Sequence, residues 1–258
     1  PKKDIGRIGL ALADSEPNVL YSIYANEEGY FKGIYKTEDG GSEWKKCRDT
    51  PLKDIYMSYG WWFGNIRVNP TDSDEVYALG LDIWRSKNGG QNWKNLSWQG
   101  VHYDQHALFI HPESPNLIVL GNDGGAYLSE NGGKKWQHFD NLPITQFYTC
   151  EIDTQNPDVL YGGSQDNGII RTLTGKIDDW ELLVDGDGFC VLVDPNDSEM
   201  LYTAYQYGSL IRSPDGGISF FEGTSGIKAK DRRNWNTPII LDQNSSNVLY
   251  YGTSRLYK

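Results

Sequence analysis

One short motif recurs four times along this chain at nearly constant spacing, and it limits the possible folds more than any other feature. Each copy has Ser or Thr, then Asp or Asn two positions later, a Gly-Gly pair and an aromatic ring. These Gly-Gly boxes are Thr37–Trp44, Ser86–Trp93, Ser129–Trp136 and Ser213–Phe220. They begin 49, 43 and 84 residues apart, and a decayed copy, Thr172–Gly175 followed by Trp180, falls within the long interval. A period of about 40 to 50 residues is typical of solenoids and propellers.

A second repeat, out of phase with the first, favours a propeller. Short strand-like runs recur once in each period, at Asn18–Tyr21, Glu75–Tyr77, Asn116–Val119, Asp158–Tyr161, Glu199–Tyr202 and Asn247–Tyr250. Turns rich in Gly, Pro, Asn and Asp separate them from further apolar runs, a pattern typical of antiparallel β-sheet. Four strands per repeated unit form a propeller blade. We therefore predict one all-β propeller domain over residues 1–258, with five complete blades and one incomplete blade. It is either a six-bladed ring or a fragment of a larger propeller.

The Gly-Gly box resembles the Asp-box, or bacterial neuraminidase repeat, whose pattern is Ser/Thr-x-Asp-x-Gly-x-Thr-Trp. It departs from that pattern at the third position, where two copies have Asn, and at the seventh, where Thr is absent. The resemblance implies a folding element on the turn between the third and fourth strands, remote from the active face. In physical terms the polar residue caps a tight turn, and the glycines supply positive φ. We expect the rings of Trp44, Trp93, Trp136 and Phe220 to be buried at equivalent places.

Composition excludes several classes of function. The formal charge of −11 argues against nucleic acid as a partner, because binding phosphates needs a basic surface. Apolar runs are too short to span a membrane, so no membrane insertion is expected. The three cysteines favour free thiols over a disulfide, with Cys150 and Cys190 expected to be buried in first strands. We predict no metal site and no cofactor. The composition fits an extracellular or cell-surface protein.

Connectivity predicts which loops carry function. In an up-and-down blade, the loop entering the first strand and the turn between the second and third strands lie at the same end. Those loops gather Trp, Tyr, Asp, Gln, His and Arg side chains, which we expect to converge around the channel. The candidate ligand-binding residues are Trp61, Trp62, Tyr103, His106, Asn122, Asp123, Gln165, Asp166, Asp187, Arg233 and Trp235. His106 is expected to bridge Asp104 and a neighbouring loop in a structural role.

The same loops sharpen the resemblance. Asp104–Leu108, Gly121–Gly125, Ser164–Gly168 and Trp235–Pro238 look like the large secreted bacterial proteins described as Asp-box glycosyl hydrolase-like, whose propellers are similar to that of sortilin. Xyloglucan-cleaving propellers place a catalytic aspartate first in Asp-x-Gly-Gly-Ala-Tyr, and here Asn122 holds that position with Asp123 after it. Sialidases need three arginines, but Arg232, Arg233 and Arg255 all come from one unit. The resemblance therefore implies fold more than chemistry.

We interpret the chain as a propeller that binds a glycan or protein segment on its channel face without chemistry of its own. The first alternative is a glycoside hydrolase with paired carboxylates, for which Asp104, Asp123 and Asp166 are the candidate catalytic residues. The second alternative is a structural module of a large surface protein. The expected partners are a polysaccharide or an extracellular protein, together with other domains of the same protein.

Overall fold

The structure is a computed structural model that describes residues 3–98, 100–242 and 244–258. It divides the chain into two compact units, residues 1–142 (unit 1) and 143–258 (unit 2). Each unit is described separately below, and the expected single domain over 1–258 stays a prediction. No α-helix occurs in the described ranges, where the helical segments are the 3-10 turns Thr50–Leu52 and Gln206–Gly208. The all-β prediction is confirmed.

The described residues of unit 1 form three sheets, each with four antiparallel strands in chain order. The first sheet contains β1 (Ile8–Leu12), β2 (Leu20–Ala25), β3 (Phe31–Thr37) and β4 (Lys45–Lys46). The second contains β5 (Asn65–Asn69), β6 (Asp72–Leu79), β7 (Ile83–Ser86) and β8 (Lys94–Asn95). The third contains β9 (Gln105–Ile110), β10 (Ile118–Asn122), β11 (Gly125–Ser129) and β12 (Gln137–His138).

The described residues of unit 2 form two four-stranded sheets and one three-stranded sheet with the same strand order. The fourth sheet contains β13 (Phe147–Ile152), β14 (Leu160–Ser164), β15 (Ile169–Thr172) and β16 (Glu181–Val184). The fifth contains β17 (Cys190–Asp194), β18 (Asp197–Tyr205), β19 (Ser209–Ser213) and β20 (Phe221–Glu222). The sixth contains β21 (Ile239–Asp242), β22 (Ser245–Gly252) and β23 (Leu256–Tyr257). Five complete propeller blades and one incomplete blade were predicted, and this is confirmed.

The alternation of apolar residues explains where the core lies. On β10, Ile118 pairs with Ile110 of β9, and Leu120 pairs with Leu108. Ile118 and Leu120 are fully buried, because alternate side chains of a strand point to the same face. They join a cluster that includes Leu79 and other residues of the second sheet. The core therefore occupies the seams between consecutive sheets of a unit, as in a propeller.

The four Gly-Gly boxes have the same local geometry. Each begins at the last residue of a third strand, whose side-chain oxygen accepts the N–H of the second glycine at 2.7 to 3.0 Å. The Asp or Asn oxygen accepts the backbone N–H four residues later at 2.8 to 2.9 Å. Both glycines of every box have positive φ, between 63° and 97°. Only glycine adopts this conformation without strain, which explains the pair.

The aromatic rings of the boxes differ in burial. Trp136 is 8% exposed, Trp93 and Phe220 are half-buried, and Trp44 is 38% exposed. The expectation that all four rings are buried therefore holds for Trp136, holds only in part for Trp93 and Phe220, and is wrong for Trp44. Trp44 belongs to the first sheet of its unit, and among the described residues only its own ring lies within 4 Å of a Cβ placed on Gly41.

The decayed copy keeps part of the box. Thr172 ends β15, and its hydroxyl accepts the N–H of Gly175 at 2.9 Å. The carboxylate comes from Asp179, just before Trp180, and it accepts hydrogen bonds from the hydroxyls of Thr172 and Thr174. These bonds lower the pKa of Asp179. A downstream carboxylate thus replaces the missing Asp of the motif.

The cysteines are free among the described residues, but they differ in burial. Cys47 and Cys190 are buried, and burial raises the pKa of each thiol to about 12. Cys150 is exposed, so the expectation of a buried thiol is wrong there. It shares a face of β13 with Ile152, which is 53% exposed.

Candidate functional site

The candidate residues lie at the end of each sheet opposite the Gly-Gly boxes. The loop that enters each first strand and the turn between the second and third strands meet at this end, because successive strands are antiparallel. We call it the loop end. The structure brings the candidates together in two clusters, one in each unit, and each is described within its own unit. Convergence of the two sets on one channel mouth stays a prediction.

The unit 1 cluster is centred on a histidine–carboxylate pair. His106 Nε2 lies 2.8 Å from Asp123 Oδ1, with side-chain exposures of 40% and 31%. His106 is the second residue of β9, and Asp123 follows β10 in the same sheet. The imidazole also stacks on the buried ring of Phe63 at 5.5 Å. His106 was predicted to bridge Asp104 and a neighbouring loop; its contact with Asp123, in the turn after β10, supplies the link to a neighbouring loop, and the link to Asp104 stays a prediction.

The side-chain amide of Asn122 stabilises the local turn through hydrogen bonds. Its Nδ2 donates to the carbonyl oxygen of His102 at 3.0 Å and to Oε1 of Gln105 at 3.2 Å. Its Oδ1 accepts the N–H of Gly124 at 3.0 Å. Gln105 is fully buried. These bonds use both ends of the amide, so Asn122 shapes the loop that presents Asp123.

Two exposed tryptophans border this cluster. Trp61 and Trp62 are 53% and 72% exposed, and Tyr103 is 64% exposed. The guanidinium of Arg7 donates to the carbonyl oxygens of Trp61 and Trp62, at 2.7 and 3.0 Å. Phe63 follows directly and anchors the segment against His106. The backbone of the tryptophan loop is therefore held while its rings face solvent.

The unit 2 cluster contains a chain of four aromatic rings. Tyr148 packs on Phe189 with ring centroids 4.6 Å apart, and Phe189 meets Trp235 at 5.7 Å. Trp235 meets Tyr207 edge to face at 5.0 Å, with an interplanar angle of 87°. Phe189 is buried, whereas Tyr148, Trp235 and Tyr207 are 40%, 45% and 58% exposed. The rings come from the fourth, fifth and sixth sheets, which meet here at their loop ends.

A buried carboxylate lies beside these rings. Asp187 is 6% exposed, and its Oδ1 accepts the backbone N–H of Asp166 at 3.1 Å. Its Oδ2 accepts the side-chain amide of Gln206 at 3.0 Å. The pKa of Tyr148 is raised, first by burial and then by the negative charges of Asp187 and Asp166. The cluster therefore combines exposed rings with concentrated negative charge.

Backbone strain is found at the loop end of both units. Asp104, Asp166 and Tyr207 have φ of 67°, 59° and 58°, in the left-handed region. An aromatic residue in this region is uncommon, and the strain costs about 1 to 3 kcal/mol. Such strain tends to occur at functional sites, where the surrounding structure holds it. For Tyr207, a hydrogen bond from its N–H to the carbonyl oxygen of Trp235 at 3.0 Å does so.

The remaining candidates, Gln165, Arg233 and Asp104, make the following contacts. Gln165 donates its backbone N–H to Gln146 at 2.9 Å. The guanidinium of Arg233 lies over the ring of Tyr251 at 5.9 Å, and Asp104 donates its backbone N–H to Leu81 at 3.0 Å.

Sequence reasoning missed several residues of these clusters. Tyr148, Gln206 and Tyr207 stand out only in the structure, although Gln206 and Tyr207 lie in a loop that connectivity assigns to this end and Tyr148 is the second residue of the first strand β13. Arg7 and Phe63 were missed because they act from the strand entrance and from the core. An aromatic residue next to a turn, as in Tyr205–Tyr207, is the signal that was available.

No helix within 3–98, 100–242 and 244–258 is long and apolar enough to cross a membrane. Those described ranges contain no group of three or more His, Cys, Asp or Glu side chains suited to hold a metal ion.

Solved structures show distant likeness to the chain, and no curated protein sequence matches it. It is similar to the GH74 enzyme of Niastella koreensis, with 18% identity and a TM-score of 0.45 over 94% of this chain and 43% of that one. It is similar to the GH74 xyloglucanase of Xanthomonas campestris, with 16% identity and a TM-score of 0.42 over 95% and 43%. It is also similar to YCF48 bound to D1 peptide, with 18% identity and a TM-score of 0.36 over 95% of this chain and 74% of that one. The chain thus spans less than half the length of the two GH74 proteins, and these likenesses assign no role to any residue.

A family model gives a more specific result. The Sortilin-Vps10 model, described as sortilin, neurotensin receptor 3, matches residues 32–170. The matched segment runs from β3 to the start of β15 and is more than half of the 258 residues. This chain therefore belongs to the Sortilin-Vps10 family.

Proposed function

We propose that this chain is a non-catalytic, glycan-binding β-propeller of a secreted or cell-surface protein. Its Gly-Gly boxes act as Asp-boxes with a structural role, and the ligand binds at the loop end of the sheets. The observation that carries the proposal is the aromatic chain of unit 2, in which Trp235 and Tyr207 present exposed rings beside Gln206. Exposed aromatic faces stack on sugar rings, and neighbouring amides and carboxylates accept or donate hydrogen bonds to hydroxyl groups.

The state of the carboxylates supports binding over hydrolysis. An inverting glycosidase needs one carboxyl group as a proton donor and a second about 6.5 to 9.5 Å away. In unit 2, both oxygens of Asp187 already accept hydrogen bonds, from Asp166 and Gln206. In unit 1, Asp123 contacts His106 at 2.8 Å. These carboxylates are engaged in positioning neighbouring groups, which fits a binding surface.

The test uses the full chain and a panel of hydroxyethyl cellulose, galactomannan, polygalacturonate and glycol chitosan. We expect retardation in affinity electrophoresis on at least one polymer and no release of reducing ends. Trp235→Ala should weaken that binding at least tenfold, because a truncated hot-spot ring costs about 2 kcal/mol or more. Phe221→Ala removes a 52% exposed ring from the outer strand β20 of the same unit and serves as the matched control.

Two results would contradict this function. Reducing ends released by the wild type and lost in Asp123→Asn or Asp166→Asn would establish the hydrolase instead. Absence of retardation on every polymer would exclude glycan binding for the panel and favour a protein ligand.

A protein ligand is the second candidate, and a feature of unit 1 favours it. The segment before β5 exposes four large apolar side chains, Met57, Tyr59, Trp61 and Trp62, each between 51% and 72% exposed. Clusters of exposed aromatic residues and Met are enriched at protein interfaces.

A further inference from the structure

Two rings of the aromatic chain of unit 2, Tyr207 and Trp235, meet at a right angle and form a corner. Stacking of one sugar ring would use only one of these two surfaces. Tyr207 stands at 87° to Trp235 with centroids 5.0 Å apart, and both side chains are about half exposed. The backbone of Tyr207 is in the left-handed region, with φ of 58°. Two aromatic walls at a right angle offer their negative faces to one small group. Cations, above all alkylammonium groups, are attracted to such faces.

Among the described residues, no Lys, Arg or His side chain forms an ion pair with Asp187, the carboxylate beside this corner. Asp187 is 94% buried, and its hydrogen-bond donors are the backbone amide of Asp166 and the neutral side chain of Gln206. Buried charges in proteins are normally paired with an opposite charge. Gln206, which donates to Asp187, directly precedes Tyr207, so the carboxylate lies close to the aromatic chain. A ligand cation would supply the missing charge.

Three arginines of unit 2 contact residues other than Asp187. Arg232 donates to Oδ1 of Asn234 at 2.9 Å, and Arg233 lies over Tyr251. Arg255 lies 3.5 Å from Asp231, whose carboxylate it pairs with. Asp185, in the loop of Asp187, is exposed and adds further negative charge to the cluster.

We propose that the corner of Tyr207 and Trp235, beside Asp187, is a subsite for the ammonium group of a glycan that carries free amino sugars. This rests on the proposed glycan-binding function and names the class of glycan. The sugar ring stacks on Trp235, and its protonated amine lies against Tyr207, close to the buried negative charge of Asp187.

The test compares two oligosaccharides that differ only in acetylation. A glucosamine tetramer is titrated into the full chain by calorimetry at mildly acidic pH, where its amines are protonated, and the N-acetylglucosamine tetramer is titrated in parallel. We expect the free-amine tetramer to bind at least about tenfold more tightly, since acetylation removes the cation. Short oligomers are used because a polycation would bind non-specifically to a chain with a net charge of −11.

The variant Tyr207→Asn separates binding from folding. Asparagine tolerates the left-handed conformation, so the unfolding midpoint should be unchanged or higher, while binding of the free-amine tetramer falls about tenfold. Phe221→Asn is the matched control for loss of an exposed ring in this unit and should leave binding unchanged. Asp187→Asn should remove the preference for the free amine, and its folding is checked by the same unfolding midpoint.

Three other outcomes would each contradict part of the proposal. Equal binding of the two tetramers would overturn the ammonium subsite but leave glycan binding intact. Failure of both tetramers and of every polymer in the panel would reject the glycan function itself. Binding of a lysine tetrapeptide, with no binding of the glucosamine tetramer, would overturn the proposal in favour of a protein ligand.

Discussion

The two ends of each sheet use carboxylates in different ways. At the box end, Asp39 and Asp215 accept backbone N–H groups of their own turn, and the pattern is the same in every copy. At the loop end, Asp187 is held by Asp166 of the preceding sheet, and each loop differs from the others. Residues repeated with the period satisfy the backbone of their own blade. The residues that break the period meet neighbours from other sheets, and it is there that a ligand site can form.

The largest expected effect concerns the rings at the two ends. Trp136 is 8% exposed in a seam of unit 1, so Trp136→Ala should lower the free energy of unfolding by about 3 to 5 kcal/mol. Trp235 is 45% exposed, so Trp235→Ala should cost roughly 1 kcal/mol. Urea unfolding measures both. Equal losses would remove the distinction between a structural and a ligand-facing end.

The seam itself can be tested with a pair of glycines. Gly90 has φ of +82°, and a Cβ there would lie 2.5 Å from Sγ of Cys47 in the neighbouring sheet. Gly41 occupies the same position of the first box with φ of +97°, but among the described residues a Cβ there meets only the ring of Trp44, at 3.8 Å. Gly41→Ala should therefore cost about 1 to 2 kcal/mol of left-handed strain. Gly90→Ala should cost about 1 to 3 kcal/mol more, because it also overpacks the seam.

The unfolding midpoints of the two glycine variants in urea provide the measurement. If Gly90→Ala and Gly41→Ala lower the free energy of unfolding equally, the cost comes only from strain within the turn, and the box does not pack against the preceding sheet.

The box end could be predicted from the sequence almost completely, because its structure is local. The Gly-Gly pair, the capping oxygen and the strand before it lie within eight residues, and their conformation follows from turn chemistry. Burial was less predictable, since Trp44 and Cys150 sit in the first sheets of their units, where a covering neighbour decides exposure. A repeat shows the position of a ring in its blade but not what lies across the seam.

The sequence predicted which loops lie at the loop end, but it did not predict the contacts between them. Connectivity placed Asp166, Asp187 and Trp235 at one end of unit 2, and the structure brings them into one cluster. The hydrogen bond of Asp187 to Gln206 and the left-handed Tyr207 depend on how three sheets meet. Contacts between residues far apart in sequence leave no local pattern, so the ring corner could not be predicted.

The smallest expected effect is a pH dependence that belongs to the box end. Backbone hydrogen bonding from Glu43 first, and the hydroxyl of Thr37 next, lower the pKa of Asp39. Hydrogen bonds from Ser219 lower the pKa of Asp215. A carboxylate with a lowered pKa in the folded state stabilises the fold above its unfolded pKa of about 3.9, and loses that contribution as the pH falls through the folded value. The boxes with Asn88 and Asn131 make the same backbone bonds without a titrating group.

The double variant Asp39→Asn and Asp215→Asn should therefore flatten the decline of the unfolding midpoint in acid while leaving the fold intact. The reciprocal variant Asn88→Asp and Asn131→Asp should make that decline steeper, because each new carboxylate would accept the same N–H group in its charged form. Thermal unfolding followed by circular dichroism from neutral to acidic pH gives both curves. If the three proteins decline in parallel, the acid sensitivity of this fold lies outside the box turns, and the contrast between locally satisfied and ligand-facing carboxylates fails.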